Sequence, residues 1–254
     1  MYSKIALFSQ KFIRSFISLL FPNHCTFCGV LLERSACICD NCLKEVGIID
    51  KVVCKRCGAP VKHEFEVHVC SQCEGIAFGF RMNESLGVYT GTLQELIHQY
   101  KFGKRRSLYS LFSDLIIRYK NQYIFDHEIL LPMPLTRTRY SERGFNQSYL
   151  IAREVSCKLQ VTFYGDIIRR EGDSRPQSSI QSRKDRWLNV SDQFVVKGRW
   201  RDKITGRNIL LFDDVLTTGA TASACARMLY REGARNVDVL TLGRALMEPG
   251  DVYF

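Results

Sequence analysis

The stretch Ile209-Leu210-Leu211-Phe212-Asp213-Asp214, continued by Val215-Leu216-Thr217-Thr218-Gly219-Ala220-Thr221, constrains this chain more than any other. Four large apolar residues in succession predict a strand buried on both faces, as in a parallel sheet. Two carboxylates stand where that strand should end. Hydroxyl and small residues follow, and then an Ala-rich helix running to about Tyr230. A loop between a strand's carboxyl end and a helix N-terminus offers free backbone N–H groups and the positive end of the helix dipole, which together seat a phosphate. Thr217, Thr218 and Thr221 add hydroxyl donors, and Gly219 lets the backbone close on the anion. The two Asp residues do not bind phosphate, but they accept hydrogen bonds from sugar hydroxyls beside it. The pattern therefore describes a phosphorylated sugar. An ordinary turn would need neither the acid pair nor the hydroxyl loop. A nucleotidase-type acidic strand end would need a G-x-x-x-x-G-K-[ST] partner loop, and Gly103-Lys104 is followed by Arg105.

This segment resembles the phosphoribosyl-pyrophosphate (PRPP) binding motif of type I phosphoribosyltransferases: apolar run, acid pair, Thr-Thr-Gly-Ala-Thr and helix all occur in order.

Cysteine divides the chain. Cys25, Cys28, Cys37, Cys39, Cys42, Cys54, Cys57, Cys70 and Cys73 crowd the first third, and only Cys157 and Cys225 lie beyond it. Paired C-x-x-C units without a secretion signal point to a reducing compartment and to metal rather than disulfides. Four units can be written: Cys25/Cys28, Cys39/Cys42, Cys54/Cys57 and Cys70/Cys73. Each makes a knuckle that sets two thiolates on one metal, and two knuckles complete a tetrahedral zinc site. Sequential pairing is the simplest arrangement, with two structural zinc ions. Spacing alone leaves cross-bracing open, and it also leaves open an exchange of Cys37 for Cys39. His24, His63 and His68 are not needed as ligands. Gly29 and Gly58, each directly after a knuckle, fit the turn that a knuckle makes.

Residues 1–21 are apolar and aromatic, with Lys4, Lys11 and Arg14 interspersed. The two later charges interrupt what would be the core of a signal peptide. The reading is an amphipathic helix packed on the body of the protein; docking on a partner or on anionic lipid is the other use of such a helix. No window is long and apolar enough for a transmembrane span. With 254 residues and a formal net charge of +10, the chain has room for a large and a small domain and favours polyanions. The expected boundaries are 1–21 for the helix, 22–80 for a double zinc ribbon and 81–254 for an α/β domain.

Within that domain, Glu84–Tyr89 reads as an edge strand, Leu93–Tyr100 and Leu108–Tyr119 as helices, and Glu128–Leu131 as a short strand. The loop after Pro132-Met133-Pro134-Leu135 carries Arg137, Arg139 and Arg143 just before a helix running to about Lys158. Three guanidinium groups there suit a pyrophosphate, with a solvated basic loop as the competing reading. Asp166–Arg170 reads as a strand. The polar segment 171–189, with Arg175, Arg183, Lys184, Arg186 and Trp187, reads as a lid over phosphates or as a stacking surface for single-stranded nucleic acid.

In this order the pieces resemble the ComF family, competence-associated relatives of the phosphoribosyltransferases. The resemblance rests on Pro22-x-x-Cys25-x-x-Cys28, the four C-x-x-C units, Gly87-Val88-Tyr89-Thr90-Gly91, Lys101-Phe102 and Pro132-Met133-Pro134-Leu135. It continues through Arg143-Gly144-Phe145-Asn146-Gln147, Gln177/Arg186/Asn189 and the PRPP motif. It implies a type I phosphoribosyltransferase-like parallel sheet flanked by helices behind a Cys-rich double zinc ribbon. It also implies that Asp213 and Asp214 hold ribose hydroxyls, with Mg2+ bridging sugar and pyrophosphate. Leu216, Thr217, Thr218, Gly219, Ala220 and Thr221 would hold the 5′-phosphate, and Arg137 and Arg143 would act with the acid pair in catalysis. As a role, it implies natural transformation: cytoplasmic handling of incoming single-stranded DNA together with partners in the competence machinery. An active phosphoribosyltransferase on an unidentified acceptor is the alternative.

Overall fold

A computed structural model describes residues 24–25, 27–32, 38–50, 52–61, 69–103, 105–170 and 194–246. The expected N-terminal helix, the polar segment 171–189, Cys37, His63 and His68 fall outside the described residues. The chain divides into two compact units, Met1–Val46 and Gly47–Phe254, so the division falls between the two halves of the cysteine-rich third.

In the smaller unit, a turn brings the Gly29 N–H to Cys25 O at 2.9 Å, and Cys39 caps the short helix α1 (Asp40–Glu45).

The larger unit is built on five parallel strands in the order β1-β7-β6-β2-β3. In chain order they and their neighbours are β1 (Asn83–Val88), α2 (Gly91–Phe102), α3 (Leu108–Phe125), β2 (Ile129–Pro132), α4 (Arg137–Arg143), α5 (Gln147–Leu159) and β3 (Thr162–Phe163). Then come β4 (Ile168–Arg170), β5 (Phe194–Val196), α6 (Arg201–Ile204), β6 (Asn208–Leu216), α7 (Ala220–Arg231) and β7 (Asn236–Arg244). The short strands β4 and β5 form a separate antiparallel pair.

Strand alternation sorts the core. Ile129, Leu131, Ile209, Leu211, Val237 and Val239 share one cluster with Ala222, Cys225, Met228 and Leu229 of α7. Their neighbours Leu130, Leu210 and Leu240 are equally buried and point to the opposite face, since successive side chains alternate across a sheet. Helices α3 and α5 pack on each other, and α5 lies against β2 and β6. A sheet covered on both faces is what the apolar run in β6 requires.

Two expectations shift. The strand does not end at the acid pair: β6 continues to Leu216, with Asp213 beside Thr241 and Leu216 beside Arg244 of β7. Pairing with a strand equally long carries it on. The arginine segment after Leu135 is a short helix rather than a loop: Thr136 Oγ1 accepts from the Arg139 N–H at 3.2 Å, and Gly144 ends the helix at φ 75°.

Near the opposite ends of the strands, Asp238 of β7 is fully buried. Its carboxylate pairs with His127 Nε2 at 2.8 Å and with Arg81 Nε at 2.9 Å. Burial pushes that carboxyl up, but the His127 and Arg81 hydrogen bonds outweigh it and hold it below its ordinary range.

Candidate sugar-phosphate site and cysteine clusters

The connection after β2 turns toward β3, and the connection after β6 turns the other way toward β7. Open α/β sheets bind ligands in the crevice at such a switch point, outside the carboxyl ends of the strands. A cavity of about 250 Å³ opens there. Asp213, Asp214 and the segment Leu216–Thr221 line it from β6, and Met133, Pro134 and Leu135 line it from the end of β2.

The loop is built as a phosphate seat requires. Gly219 is the N-cap of α7 at φ 76°, a left-handed conformation that suits glycine. The Ala220 N–H donates to Thr218 Oγ1 at 3.2 Å, which tightens the turn. Beneath it, Arg244 at the end of β7 is completely buried, and its Nη1 donates to Leu216 O at 3.1 Å and Thr217 O at 2.9 Å. A buried guanidinium thus ties down the loop's first carbonyls.

The acid pair is not symmetric. Asp213 Oδ1 accepts from the Asp214 N–H at 2.8 Å and from Ser148 Oγ at 3.2 Å. Burial and the neighbouring Asp214 charge push the Asp213 carboxyl up to about 7. Asp214 faces cations instead: Lys101 Nζ lies 2.8 Å from Oδ1, and Arg143 Nη1 lies 3.9 Å from Oδ2.

The segment Arg143-Gly144-Phe145-Asn146-Gln147 works as a unit. Asn146 caps α5 by accepting from the Tyr149 N–H at 3.1 Å, and its Nδ2 donates to Met133 O at 3.0 Å. That joins the arginine helix to the end of β2. Gln147 Oε1 receives Arg143 Nη1 at 3.1 Å, and the Phe145 ring lies 5.5 Å from Tyr100. Burial lowers the Arg143 pKa against the pull of Asp214, and its buried Nε has no hydrogen-bond partner among the described residues. A buried cation with a spare donor on the wall of the cavity fits an anionic ligand.

Of the residues expected in the site, Asp213, Asp214, Arg143 and Leu216–Thr221 come together, joined by Arg139. Arg137 does not join them; it lines a wider neighbouring cleft of about 970 Å³, whose wall shares Pro134, Leu135 and Arg170 with the cavity. Three further residues contribute that the sequence does not single out for the site: Lys101, Arg170 and Arg244. Each is a basic residue closing an apolar element, which is the one signal the sequence offered. Burial lowers the Arg170 pKa, and the Asp213 charge opposes it.

The cysteines form two groups, Cys25/Cys28/Cys39/Cys42 and Cys54/Cys57/Cys70/Cys73, each with its sulfur atoms within 4.8 Å of one another. The pairing is therefore sequential. A tetrahedron of thiolates about 2.3 Å from zinc has edges of about 3.8 Å. Cys28 Sγ–Cys39 Sγ is 3.7 Å and Cys57 Sγ–Cys70 Sγ is 3.9 Å, so the residues fit the ion. Backbone N–H groups point at the sulfurs, as thiolates need: Cys39 N–H to Cys25 Sγ at 3.4 Å and Cys70 N–H to Cys54 Sγ at 3.3 Å. With four protein ligands each, both sites are closed and structural. His24 is not a member of either group; its Nδ1 faces Gly29 O at 3.0 Å.

Residues 16–74 match the double zinc ribbon domain family. The DNA utilization protein YhgH of Escherichia coli K12 is 30% identical over 234 residues, 89% of this chain and 98% of YhgH. The competence protein ComFC of Bacillus subtilis 168 is 30% identical over 224 residues, 85% of this chain and 87% of ComFC. A crystal structure of an adenine phosphoribosyltransferase aligns over 56% of this chain and 74% of that one, at 17% identity and a TM-score of 0.34, too slight a likeness to argue from. Relatives matched over most of both lengths at this identity decide the assignment: the chain belongs to the ComF family.

Proposed function

We propose that the chain is a ComF-type competence protein that binds PRPP with Mg2+ in the switch-point cavity and handles incoming single-stranded DNA in the cytoplasm. The observation that carries this reading is the meeting, in one cavity, of a carboxylate pair, a hydroxyl-rich helix N-terminus and the cations Lys101, Arg139, Arg143 and Arg170. No simpler ligand calls for all three. The carboxylates accept from the ribose 2- and 3-hydroxyls. Backbone N–H groups and the Thr hydroxyls of Leu216–Thr221 hold the 5′-phosphate. The guanidinium groups face the pyrophosphate, which Asp213 and Asp214 would repel. Mg2+, when bound, supplies further neutralisation of the pyrophosphate charge.

The wider cleft suits the strand. Arg106, Arg137 and Arg169 line it with Tyr140, Phe145 and Tyr149, and Tyr140 is 55% exposed. Basic side chains that track phosphates beside aromatic faces that stack bases are how single strands are held without sequence preference. In this reading the chain works with protein partners of the competence machinery. Among the described residues no helix is long and apolar enough to cross a membrane.

The second reading is an active phosphoribosyltransferase on an unidentified acceptor. It is favoured by the four cations about the pyrophosphate seat, since stabilising the departing charge is most of what such chemistry asks of the protein. Calorimetry decides the first point: Asp213→Ala with Asp214→Ala should abolish Mg2+-dependent PRPP binding, and unchanged binding rejects the site. Pyrophosphate release from PRPP, followed with and without single-stranded DNA and free bases, separates the two readings.

A further inference from the structure

The second cysteine cluster is not a pendant of the larger unit but part of its core. Cys54, Cys57 and Cys73 lie in one apolar cluster with Phe78, Phe80, Leu216, Ala222 and Cys225. From Cys73 the chain makes one tight turn, with Ile76 N–H donating to Cys73 O at 3.2 Å and Phe78 N–H donating to Ile76 O at 3.2 Å. It then runs directly beneath the phosphate loop. The rings of Phe78 and Phe80 stack at 4.9 Å. A methyl group on Gly219 would come within 2.8 Å of Phe78 Cε1, so the loop's turning glycine rests on that ring. A methyl group on Gly79 would overlap the Ser223 carbonyl oxygen of α7, so backbone meets backbone there.

A second arm leaves the other half of the cluster. Asn83, at the start of β1, donates from Nδ2 to Cys57 O at 3.0 Å and from its N–H to Arg56 O at 3.0 Å. Its Nδ2 also reaches Ser85 Oγ at 3.0 Å, and Ser85 pairs with Thr241 at 2.7 Å, the residue beside Asp213 in the sheet. Both arms are buried, and they end on the two halves of the ligand cavity.

We propose that the metallated Cys54/Cys57/Cys70/Cys73 cluster is the clamp that holds the phosphate-binding loop in its binding conformation, with Phe78 and Gly79 as positioning residues, so that loss of metal from this cluster releases the loop. The dependence of ligand binding on the clamp rests on the reading of Leu216–Thr221 as a phosphate seat. The physical ground is that a short cysteine-rich segment takes much of its folding energy from its metal. Without the ion the knuckles Cys54–Cys57 and Cys70–Cys73 lose their order, and the rings under Gly219 lose their support. A packed element with two discrete arrangements is how one site biases another. The same cysteines make the device sensitive to chelation and to thiol oxidation.

The test uses the full chain and reads amide hydrogen exchange at residues 216–223 alongside zinc content and PRPP–Mg2+ affinity. Gly79→Ala should keep about two zinc ions per chain, while exchange in the loop rises and PRPP affinity falls about tenfold, within the usual range for coupling between sites. Phe78→Ala should do the same, and Phe78→Leu should restore most of the protection. Stripping zinc with a chelator under reducing conditions should expose the loop amides before those of β6 and β7, and added zinc should reverse the change. Simultaneous exposure of the loop, β6 and β7 on stripping would overturn the metal as a local clamp. Loop exchange unchanged in Gly79→Ala overturns the clamp. If exchange responds but the zinc-loaded wild-type chain binds no PRPP, the clamp holds and the assignment of the ligand falls.

Discussion

Lys101 Nζ lies 2.8 Å from Asp214 Oδ1, with both side chains only 14% exposed. The last turn of α2 thus delivers a cation to a carboxylate at the far end of β6. With Asp213 adjacent, the pair would otherwise repel itself in a poorly hydrated crevice. Charge-assisted hydrogen bonds of this kind are worth about 1.5–3 kcal/mol. Lys101→Met should therefore weaken PRPP–Mg2+ binding roughly 10- to 100-fold by calorimetry, with the circular dichroism spectrum unchanged. Full affinity in that variant would mean that the ammonium is only a surface partner of Asp214.

Asp213 gives a pH prediction with a definite sign. Its carboxyl stands near 7 in the folded chain because of burial and the Asp214 charge, against about 3.9 when unfolded. The folded state thus holds the proton more tightly. The contribution is complete below about pH 4 and is lost as pH rises through about 7. Asp213→Asn, which cannot ionise, should be more stable than the parent at pH 8 by on the order of 2 kcal/mol, or roughly 4–8 °C in Tm. The difference should shrink as pH falls from 7 and close only below about pH 4. Equal midpoints at pH 8 would show that Asp213 carries no such penalty. A stability gain on removing Asp213 is what its proposed ligand-binding role predicts.

Much of this was legible in the sequence because local chemistry announces it. The apolar run at 209–212 required a two-sided core, and Thr217–Thr221 with Gly219 required a strand-to-helix turn. The C-x-x-C spacings required knuckles. What stayed hidden depends on strand order. Nothing local says that β7 lies beside β6, so nothing marks Arg244 as the residue beneath Leu216 and Thr217. Nor does any local pattern turn Arg143 toward Asp214 and Arg137 away from it. That follows from the helical twist of Arg137–Arg143, a segment that reads as a loop in the sequence. The end of β6 is hidden for the same reason: a charged pair inside a strand reads as its terminus until its neighbour is known.

The cysteine clusters predict a stoichiometry and an unequal effect on stability. Metal analysis should give about two zinc per chain, and one or none would reject two closed sites. Cys57→Ser and Cys28→Ser should each lower the count to about one. Cys57 is completely buried in the main core, whereas Cys28 is exposed. Cys57→Ser should therefore depress the main thermal transition far more, by several kcal/mol as for other losses of a structural metal. Equal depression by the two variants would contradict the placement of the second cluster in that core.

Arg137 and Arg143, six residues apart at the two ends of α4, line different cavities, so the two proposed binding activities can be tested separately. Arg143→Gln should cost PRPP affinity by about 10-fold or more, as for loss of a charged hydrogen-bond donor. Arg137→Gln should leave PRPP affinity nearly unchanged and act on single-stranded DNA instead. Each phosphate contact contributes about 0.7 to the slope of log affinity against log salt for a single strand. Arg137→Gln should therefore flatten the slope by about that amount, with little dependence on base sequence. Tyr140→Ala should weaken strand binding by about 1–3 kcal/mol, the worth of one stacked base, with no change in slope. A salt response that is flat in the parent protein, or a slope untouched by Arg137→Gln, would remove the strand from this cleft while leaving the sugar-phosphate site standing.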